Sequence, residues 1–297
     1  MEIAVVGLGK MGGQIAEKLS LNDFTVYGYD QNINISSSNN FSFETTDDLD
    51  TLVNKFNSRR IIWLMVPSGE PTNSTVKKLV KILNPGDIII DGGNSYYKDT
   101  INNSEISNSK NINFIDCGTS GGVWGLKNGF CLTIGGEKKI YLEIKDIFSA
   151  LSTSESKGGL FVGKSGSGHY VKMIHNGIEY GMMQSIAEGL EILEKKEEFN
   201  LKLDEISNNW KTGSVVQSWL IDLISDELKK NPKLVNFSSE VSDSGEGRWT
   251  IKESIDLSVP IPSIYASISQ RFNSKNKNSF SGKILTAMRN AFGGHTD

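Results

Sequence analysis

The chain has 297 residues, room enough for two domains, and carries 31 basic against 35 acidic side chains for a formal net charge of −4. With 37% hydrophobic and 22% charged residues a buried core is within reach, and the mildly acidic balance argues against a nucleic-acid binder, which needs a concentrated basic face. No apolar run is long enough for a membrane helix, and the two cysteines, Cys117 and Cys131, can neither staple a small fold nor pair with a histidine at metal-ligand spacing.

In chain order, Glu2–Val6, Phe24–Tyr29, Arg60–Val66, Asp87–Asp91, Ile112–Asp116, Phe130–Ile134 and Leu160–Val162 read as strands. Several are near-continuous Val/Ile runs, the pattern of a parallel sheet covered on both faces by helices. The first run starts at Met1 with no basic leader before it, so no signal peptide is expected, and reduced cysteines fit a cytoplasmic location. Gln31–Asn40 and Asn102–Asn113 are rich in Asn and Ser and read as solvated loop or helix-edge material. After Gly163 the pattern turns helical. Gly166–Gly168 opens a proline-free stretch to about Lys196, roughly thirty residues and about 45 Å of helix. Leu203–Leu228, Thr250–Leu257, Ser263–Arg271 and Ser281–Asn290 read as further helix. The expected organisation is an α/β Rossmann-type N-terminal domain over residues 1–164 and an all-α C-terminal domain over 165–297.

The first strand runs directly into Gly7-Leu8-Gly9-Lys10-Met11-Gly12 and then an amphipathic helix with Ile15 and Leu19. Glycines at this spacing allow a tight turn and let a dinucleotide pyrophosphate approach the helix N-terminus. Alone the motif is weak; here strand, turn and helix are all in place, and Asp30 closes the second strand where a carboxylate can accept from the ribose hydroxyls. Asp30 also repels a 2′-phosphate, and Gln31-Asn32-Ile33 brings no cation to hold one, which favours NAD over NADP, with Lys10 the nearest charge that would weaken the choice. Val66-Pro67 ends another strand, where it is either a cofactor-contacting loop or an ordinary strand stop.

Two glycine-rich polar loops, Asp91-Gly92-Gly93-Asn94-Ser95 and Gly118-Thr119-Ser120-Gly121-Gly122, follow strands at the sheet edge where open α/β sheets bind ligands, although for either alone a simple turn suffices. Lys172, His175, Asn176 and Glu179 stand at i, i+3, i+4 and i+7, so they share one helix face. A Lys/Glu pair at that spacing is ordinarily a solvated one. With Val171, Met173, Ile174, Ile178, Met182 and Met183 around it, the polar stripe is instead expected on a buried helix lining a cleft.

Together with Gly166–Gln184, Gly245–Thr250 and Arg289–His295, these motifs resemble the 6-phosphogluconate dehydrogenase (decarboxylating) family, and specifically its short form, which typically prefers NAD. The resemblance covers nearly the whole chain. It implies Lys172 as general base and Glu179 as general acid. It implies that Asn94, Ser120, Gly121, Gly122, His175 and Asn176 hold the sugar acid, that Tyr180, Arg248, Arg271 and Arg289 grip its phosphate, and that His295 completes the pocket. Asn94 also borders the cofactor. The chemistry implied needs no metal, because a β-keto acid loses CO2 once its ketone oxygen is hydrogen-bonded. Family precedent further implies a homodimer or homotetramer whose C-terminal tail, with Arg289 and His295, reaches the neighbouring subunit's site. Arg248 departs from the long forms, which carry lysine there. Two other readings remain open: a related β-hydroxyacid dehydrogenase acting on a small unphosphorylated acid, and a non-catalytic dinucleotide-binding sensor.

Overall fold

The computed structural model describes residues 1–31, 41–156 and 158–293. The chain divides into two compact units, Met1–His175 and Asn176–Asp297. The first is built on an eight-stranded sheet of β1 (Glu2–Val6), β2 (Thr25–Tyr29), β3 (Glu44–Thr46), β4 (Ile61–Leu64), β5 (Ile88–Asp91), β6 (Asn113–Ser120), β7 (Cys131–Gly136) and β8 (Leu160–Gly163), in the order β3-β2-β1-β4-β5-β6-β7-β8. All neighbours are parallel except β6 and β7, which pair antiparallel. The strand order reverses between β1 and β4, and such a switch point is where open sheets take up ligands.

Strand alternation separates the core into two layers. Ile3, Val5, Trp63, Ile88 and Ile90 point to one face, where α1 (Lys10–Ser20) lays down Ile15 and Leu19. Ala4, Val6, Ile62, Leu64 and Ile89 point to the other, met by α2 (Leu49–Asn54) and by Val76 and Leu79 of α3 (Glu70–Ile82). Burial on both faces explains why these strands read as unbroken apolar runs.

In the sheet unit three expectations are corrected. The short polar strand β3 is an additional edge strand. Strand β6 runs on to Ser120 rather than ending at Asp116, because its last residues pair with β7. Of Asn102–Asn113, expected as solvated loop or helix-edge material, the part up to Asn108 is helix, with one side buried rather than solvated. Tyr97–Asn108 forms helix α4, whose buried face is polar: Asn103 donates to Asn73 Oδ1 (2.9 Å), Ser104 to Ser165 Oγ (2.9 Å) and Ser107 to the Asn103 carbonyl (2.8 Å). Side-chain hydrogen bonds replace apolar contact there. The other Asn/Ser-rich stretch, beyond Gln31, lies outside the described residues.

Short helices α5 (Gly125–Asn128), α6 (Lys138–Glu143) and α7 (Lys145–Leu151) complete the sheet unit. The 29-residue helix α8 (Ser167–Lys195) begins in it, and the division between units falls within this helix. The second unit contains the remainder of α8 with α9 (Leu203–Asn209), α10 (Trp219–Lys230), α11 (Glu246–Asp256), α12 (Pro262–Ser274) and α13 (Phe280–Gly293). The helix expected over Leu203–Leu228 is interrupted at 210–218; α10 restarts where Ser218 Oγ accepts the Ile221 N–H (3.3 Å), an N-cap. Within this unit α8 and α11 approach closely at Gly177, where a Cβ would lie 2.9 Å from Thr250 Oγ1.

Candidate active site

The glycine turn after β1 shows three different demands. Gly7 has φ +94°, donates its N–H to the Tyr29 carbonyl (2.8 Å), and a Cβ there would stand 2.5 Å from the Met65 carbonyl oxygen. A Cβ on Gly12 would overlap the Gly7 carbonyl oxygen, so close helix–strand packing requires glycine. A Cβ on Gly9 would meet nothing within 4 Å. That open space lies at the N-terminus of α1, which has Gly9 as its cap, no side-chain cap bond and no acidic residue in its first turn. A dinucleotide pyrophosphate fits this arrangement of donors and space. Asp30 Oδ2 accepts the Leu8 N–H (2.8 Å), so the carboxylate borders the turn. Lys10 is exposed and Met11 half-buried; of the residues after Asp30, Asn32 and Ile33 lie outside the described residues.

Val66 joins this edge. Its Cγ1 is 3.2 Å from the Cβ position of Gly7, and its carbonyl is 3.2 Å from that of Gly93. The Pro67 carbonyl accepts from Thr72 Oγ1 (2.8 Å). In the following loop the buried Asp91 accepts the Gly93 N–H (3.1 Å) and the Ser95 hydroxyl (2.8 Å), and Asn94 stands exposed between them. Gly92 is held to glycine by the Trp63 indole against it. Segments following β1, β4 and β5 therefore meet at the carboxyl edge of the sheet. Ser120 ends β6 and Gly121 and Gly122 follow it, with Gly121 packed over the Phe130 ring (3.2 Å from its Cβ position).

The start of α8 rests on residues that sequence reasoning missed. Asp116, fully buried on β6, accepts the Gly166 N–H through Oδ1 (2.8 Å) and the His169 N–H through Oδ2 (2.9 Å). Burial pushes its carboxyl up from the usual range, opposed by His169 and by these two N–H groups. His169, itself buried, places Nδ1 2.8 Å from Thr100 Oγ1. One turn further, Lys172 is half-buried with Nζ 3.5 Å from His175 Nδ1. Asn176 is buried and Glu179 half-buried on the same helix. The surrounding apolar residues differ from expectation: Met173 is buried, but Ile178 is 51% exposed and Val171, Met182 and Met183 are exposed as well. Within one chain the helix is not sunk in a core on its other faces.

In the helical unit Tyr180 and Arg271 meet, the guanidinium carbon 3.6 Å from the ring centroid. Arg271 Nη1 donates to the Ser242 carbonyl (2.6 Å). The Tyr180 hydroxyl accepts the Ser244 N–H (3.3 Å) and lies 3.1 Å from Ser244 Oγ, which donates to the buried Glu246 carboxylate (2.7 Å). Arg248 forms a bidentate pair with Asp243, Nε to Oδ1 and Nη2 to Oδ2 both at 2.9 Å, and stacks on Phe272. The Arg248 guanidinium holds the Asp243 carboxyl below the usual carboxylate range, against burial. Asp243, Ser244 and Glu246 were not anticipated; the acidic Asp243–Glu246 run before Arg248 was the available signal. Arg289 is exposed on α13, and His295 lies outside the described residues. A groove of about 590 Å³ in this unit, lined by Met183, Leu190, Leu223 and Leu228 among others, contains none of the candidate residues. Among the described residues no group of three or more His, Cys, Asp or Glu is placed to hold a metal, and no helix is long and apolar enough to cross a membrane.

Two family models match the chain: the NAD binding domain of 6-phosphogluconate dehydrogenase over residues 2–163, and the C-terminal domain of 6-phosphogluconate dehydrogenase over residues 168–281. A Bacillus subtilis protein provisionally named 6-phosphogluconate dehydrogenase YqeC is 37% identical over 99% of this chain and 98% of its own. The NAD(+)-dependent, decarboxylating 6-phosphogluconate dehydrogenase of Haloferax volcanii is 34% identical over 99% and 98%. Among solved structures, the Plasmodium falciparum 6-phosphogluconate dehydrogenase, described in complexes with NADP+ and with 6-phosphogluconate, superimposes with TM-score 0.82 at 26% identity, covering all of this chain and 65% of that one. A Mycobacterium tuberculosis 3-hydroxyisobutyrate dehydrogenase shares the fold (TM-score 0.72, 17% identity, 90% of each chain).

Proposed function

Because the chain belongs to the 6-phosphogluconate dehydrogenase family, we propose that it oxidises and decarboxylates 6-phospho-D-gluconate to D-ribulose 5-phosphate and CO2 with reduction of NAD. The observation that carries this reading is the stripe Lys172, His175, Asn176 and Glu179 on helix α8, followed on the same helix by Tyr180 under the Arg271 guanidinium.

Lys172 takes the proton of the C3 hydroxyl as hydride departs from C3, and as an ammonium it then donates to the new ketone oxygen while the C1 carboxylate leaves as CO2. Glu179 delivers a proton to C1 of the resulting enediol. Asn94, Ser120, Gly121, Gly122, His175 and Asn176 orient the carboxylate and hydroxyls. Tyr180, Arg248, Arg271 and Arg289 take the phosphate, for which guanidinium groups offer a planar fork of donors. The Gly7–Gly12 turn holds the pyrophosphate, Asp30 the adenosine ribose, and Val66, Pro67 and Asn94 border the rest of the dinucleotide. Bound NAD supplies the hydride acceptor. The Asp30 carboxylate beside the turn supports NAD over NADP, as does the NAD(+)-dependence in the name of the Haloferax relative.

The oligomer belongs to the same reading. Exposed Ile178, Met182, Met183, Phe280, Leu285 and Met288 give the helical unit apolar surface to cover in a homodimer or homotetramer, and α13 would bring Arg289, with His295 beyond it, to a neighbouring subunit's site.

One observation favours a second reading, a hydroxyacid dehydrogenase for an unphosphorylated acid: the Arg248 fork is held by Asp243. Purified protein is assayed with 6-phosphogluconate, gluconate and 3-hydroxyisobutyrate, each with NAD and NADP, following reduced nicotinamide and CO2 together. Turnover of 6-phosphogluconate with CO2 release is expected. Turnover of an unphosphorylated acid alone, unaffected by Arg248→Ala and Arg271→Ala, overturns the phosphate assignment. No turnover at all sinks the enzymatic reading.

A further inference from the structure

We infer that Asp116 is a positioning residue for this chemistry: by fixing the first turn of α8 from the sheet, it sets where the Lys172 amine stands. The inference rests on the reading of Lys172 as the base. Everything it uses lies within the sheet unit.

Asp116 sits on β6 directly opposite Gly135 of β7. Both carboxylate oxygens are engaged by main-chain N–H groups of the turn that opens α8, Gly166 at 2.8 Å and His169 at 2.9 Å, and the side chain is fully buried. A carboxylate held by two N–H groups at a helix start satisfies donors that have no partner within the helix and opposes the positive end of its dipole. Here the anchor comes from a strand more than fifty residues earlier rather than from a neighbouring cap residue. The carboxylate is closed off by glycines on both sides. A Cβ on Gly135 would lie 2.6 Å from Asp116 Oδ1, and one on Gly168 would lie 2.8 Å from Oδ2. No side chain fits between helix and strand pair.

The same contact reaches the lysine. A Cβ on Gly118, two residues along β6, would stand 2.5 Å from Lys172 Cβ. Thr133 Oγ1, on β7, donates to the Gly168 carbonyl (3.0 Å), and His169 is tied through its ring to Thr100 (2.8 Å). The first turn is therefore pinned at its N–H groups, at a carbonyl and at a side chain. Lys172 follows His169 by three residues, about 4.5 Å along the axis. A rotation or slide of that turn moves the amine with it, and a misplacement of about 1 Å in reacting groups can cost roughly a hundredfold in rate.

The test uses the full-length protein with 6-phosphogluconate and NAD. Asp116→Asn keeps the shape and one acceptor but meets the second N–H with a donor. The expected result is a kcat about tenfold to a hundredfold lower per folded enzyme, with KM for 6-phosphogluconate and the dissociation constant for NAD changed less than about threefold. Thr133→Val, which deletes only the hydroxyl, provides a milder variant should Asp116→Asn fail to fold, and it should lower kcat about threefold to tenfold with KM again unchanged. A cap that merely stabilises the fold would lower Tm in both variants and leave kcat per folded enzyme at the wild-type value; that result overturns the inference. So does a parallel loss of KM and NAD affinity. Lys172→Met is measured alongside. If it keeps wild-type turnover, the reading of Lys172 as base has failed, whereas inactive Lys172→Met with unimpaired Asp116→Asn and Thr133→Val defeats the positioning role alone.

Discussion

The guanidinium of Arg271 lies over the ring of Tyr180, its central carbon 3.6 Å from the ring centroid, while the Tyr180 hydroxyl is fixed from the other end by Ser244 and its buried neighbour Glu246. Stacking holds the guanidinium plane without using its N–H donors, of which one goes to the Ser242 carbonyl among the described residues. Arg271→Ala should therefore raise KM for 6-phosphogluconate about tenfold to a hundredfold, the range for a lost charged hydrogen bond, with NAD affinity unchanged. Arg271→Lys keeps the charge but neither the fork nor the stack, and should recover less than half of that loss in free energy. Steady-state kinetics with an independent NAD titration checks both.

Arg248 and Asp243 predict an acid response. The folded carboxyl of Asp243 lies below its unfolded value of about 3.9, because Arg248 stabilises the charged form. A depressed folded value contributes stability that is present above the unfolded pKa and is lost as pH falls through the folded one. The expected measurement is a Tm difference between wild type and Asp243→Asn that is greatest above about pH 5 and shrinks as the pH falls below the unfolded carboxylate value of about 3.9. A pH-independent difference would mean the pair contributes nothing through its charge.

What the sequence discloses depends on which force shapes each segment. Ile88–Ile90 and Ile3–Val6 are legible because both faces of their strands are buried, and hydropathy reports burial directly. The edge strand Glu44–Thr46 and the end of β6, Gly118–Ser120, are held by main-chain pairing and leave no apolar mark. Helix α4 hides for a related reason: Asn103, Ser104 and Ser107 are buried by side-chain hydrogen bonds, which hydropathy counts as exposure. In the candidate site, the glycine turn and the α8 stripe are local patterns and can be read. Asp116 cannot, because its partners stand fifty and fifty-three residues away. Ile178, Met182 and Met183 run in the opposite direction, being apolar yet exposed in the single chain.

The glycines of the dinucleotide turn should separate binding from folding. A methyl on Gly9 meets no protein atom within 4 Å and occupies the space before the α1 N-terminus. Gly9→Ala is expected to leave Tm within about 2 °C of wild type while weakening NAD at least about tenfold. A methyl on Gly12 runs into the Gly7 carbonyl. Gly12→Ala should cost about 1–3 kcal/mol of stability through overpacking, seen as a Tm lower by about 3–10 °C. Thermal melts with and without NAD distinguish the two. Equal behaviour of the variants would remove the assignment of the Gly9 space to the cofactor.

The proposed preference for NAD rests on Asp30, whose geometry permits a clean substitution. Oδ2 accepts the Leu8 N–H at 2.8 Å, a bond that an asparagine carbonyl can keep, so Asp30→Asn removes the charge and leaves the turn tied to β2. The carboxylate acts on the two cofactors in opposite senses: it accepts from ribose hydroxyls and repels a 2′-phosphate. Neutralising it should lower kcat/KM for NAD and raise it for NADP, so that their ratio moves by about tenfold or more toward NADP, one decade corresponding to about 1.4 kcal/mol of relief. The shift toward NADP should be largest at low ionic strength, where repulsion between charges is least screened. A ratio that does not move would assign the discrimination to residues other than Asp30, while the dehydrogenase reading itself would stand.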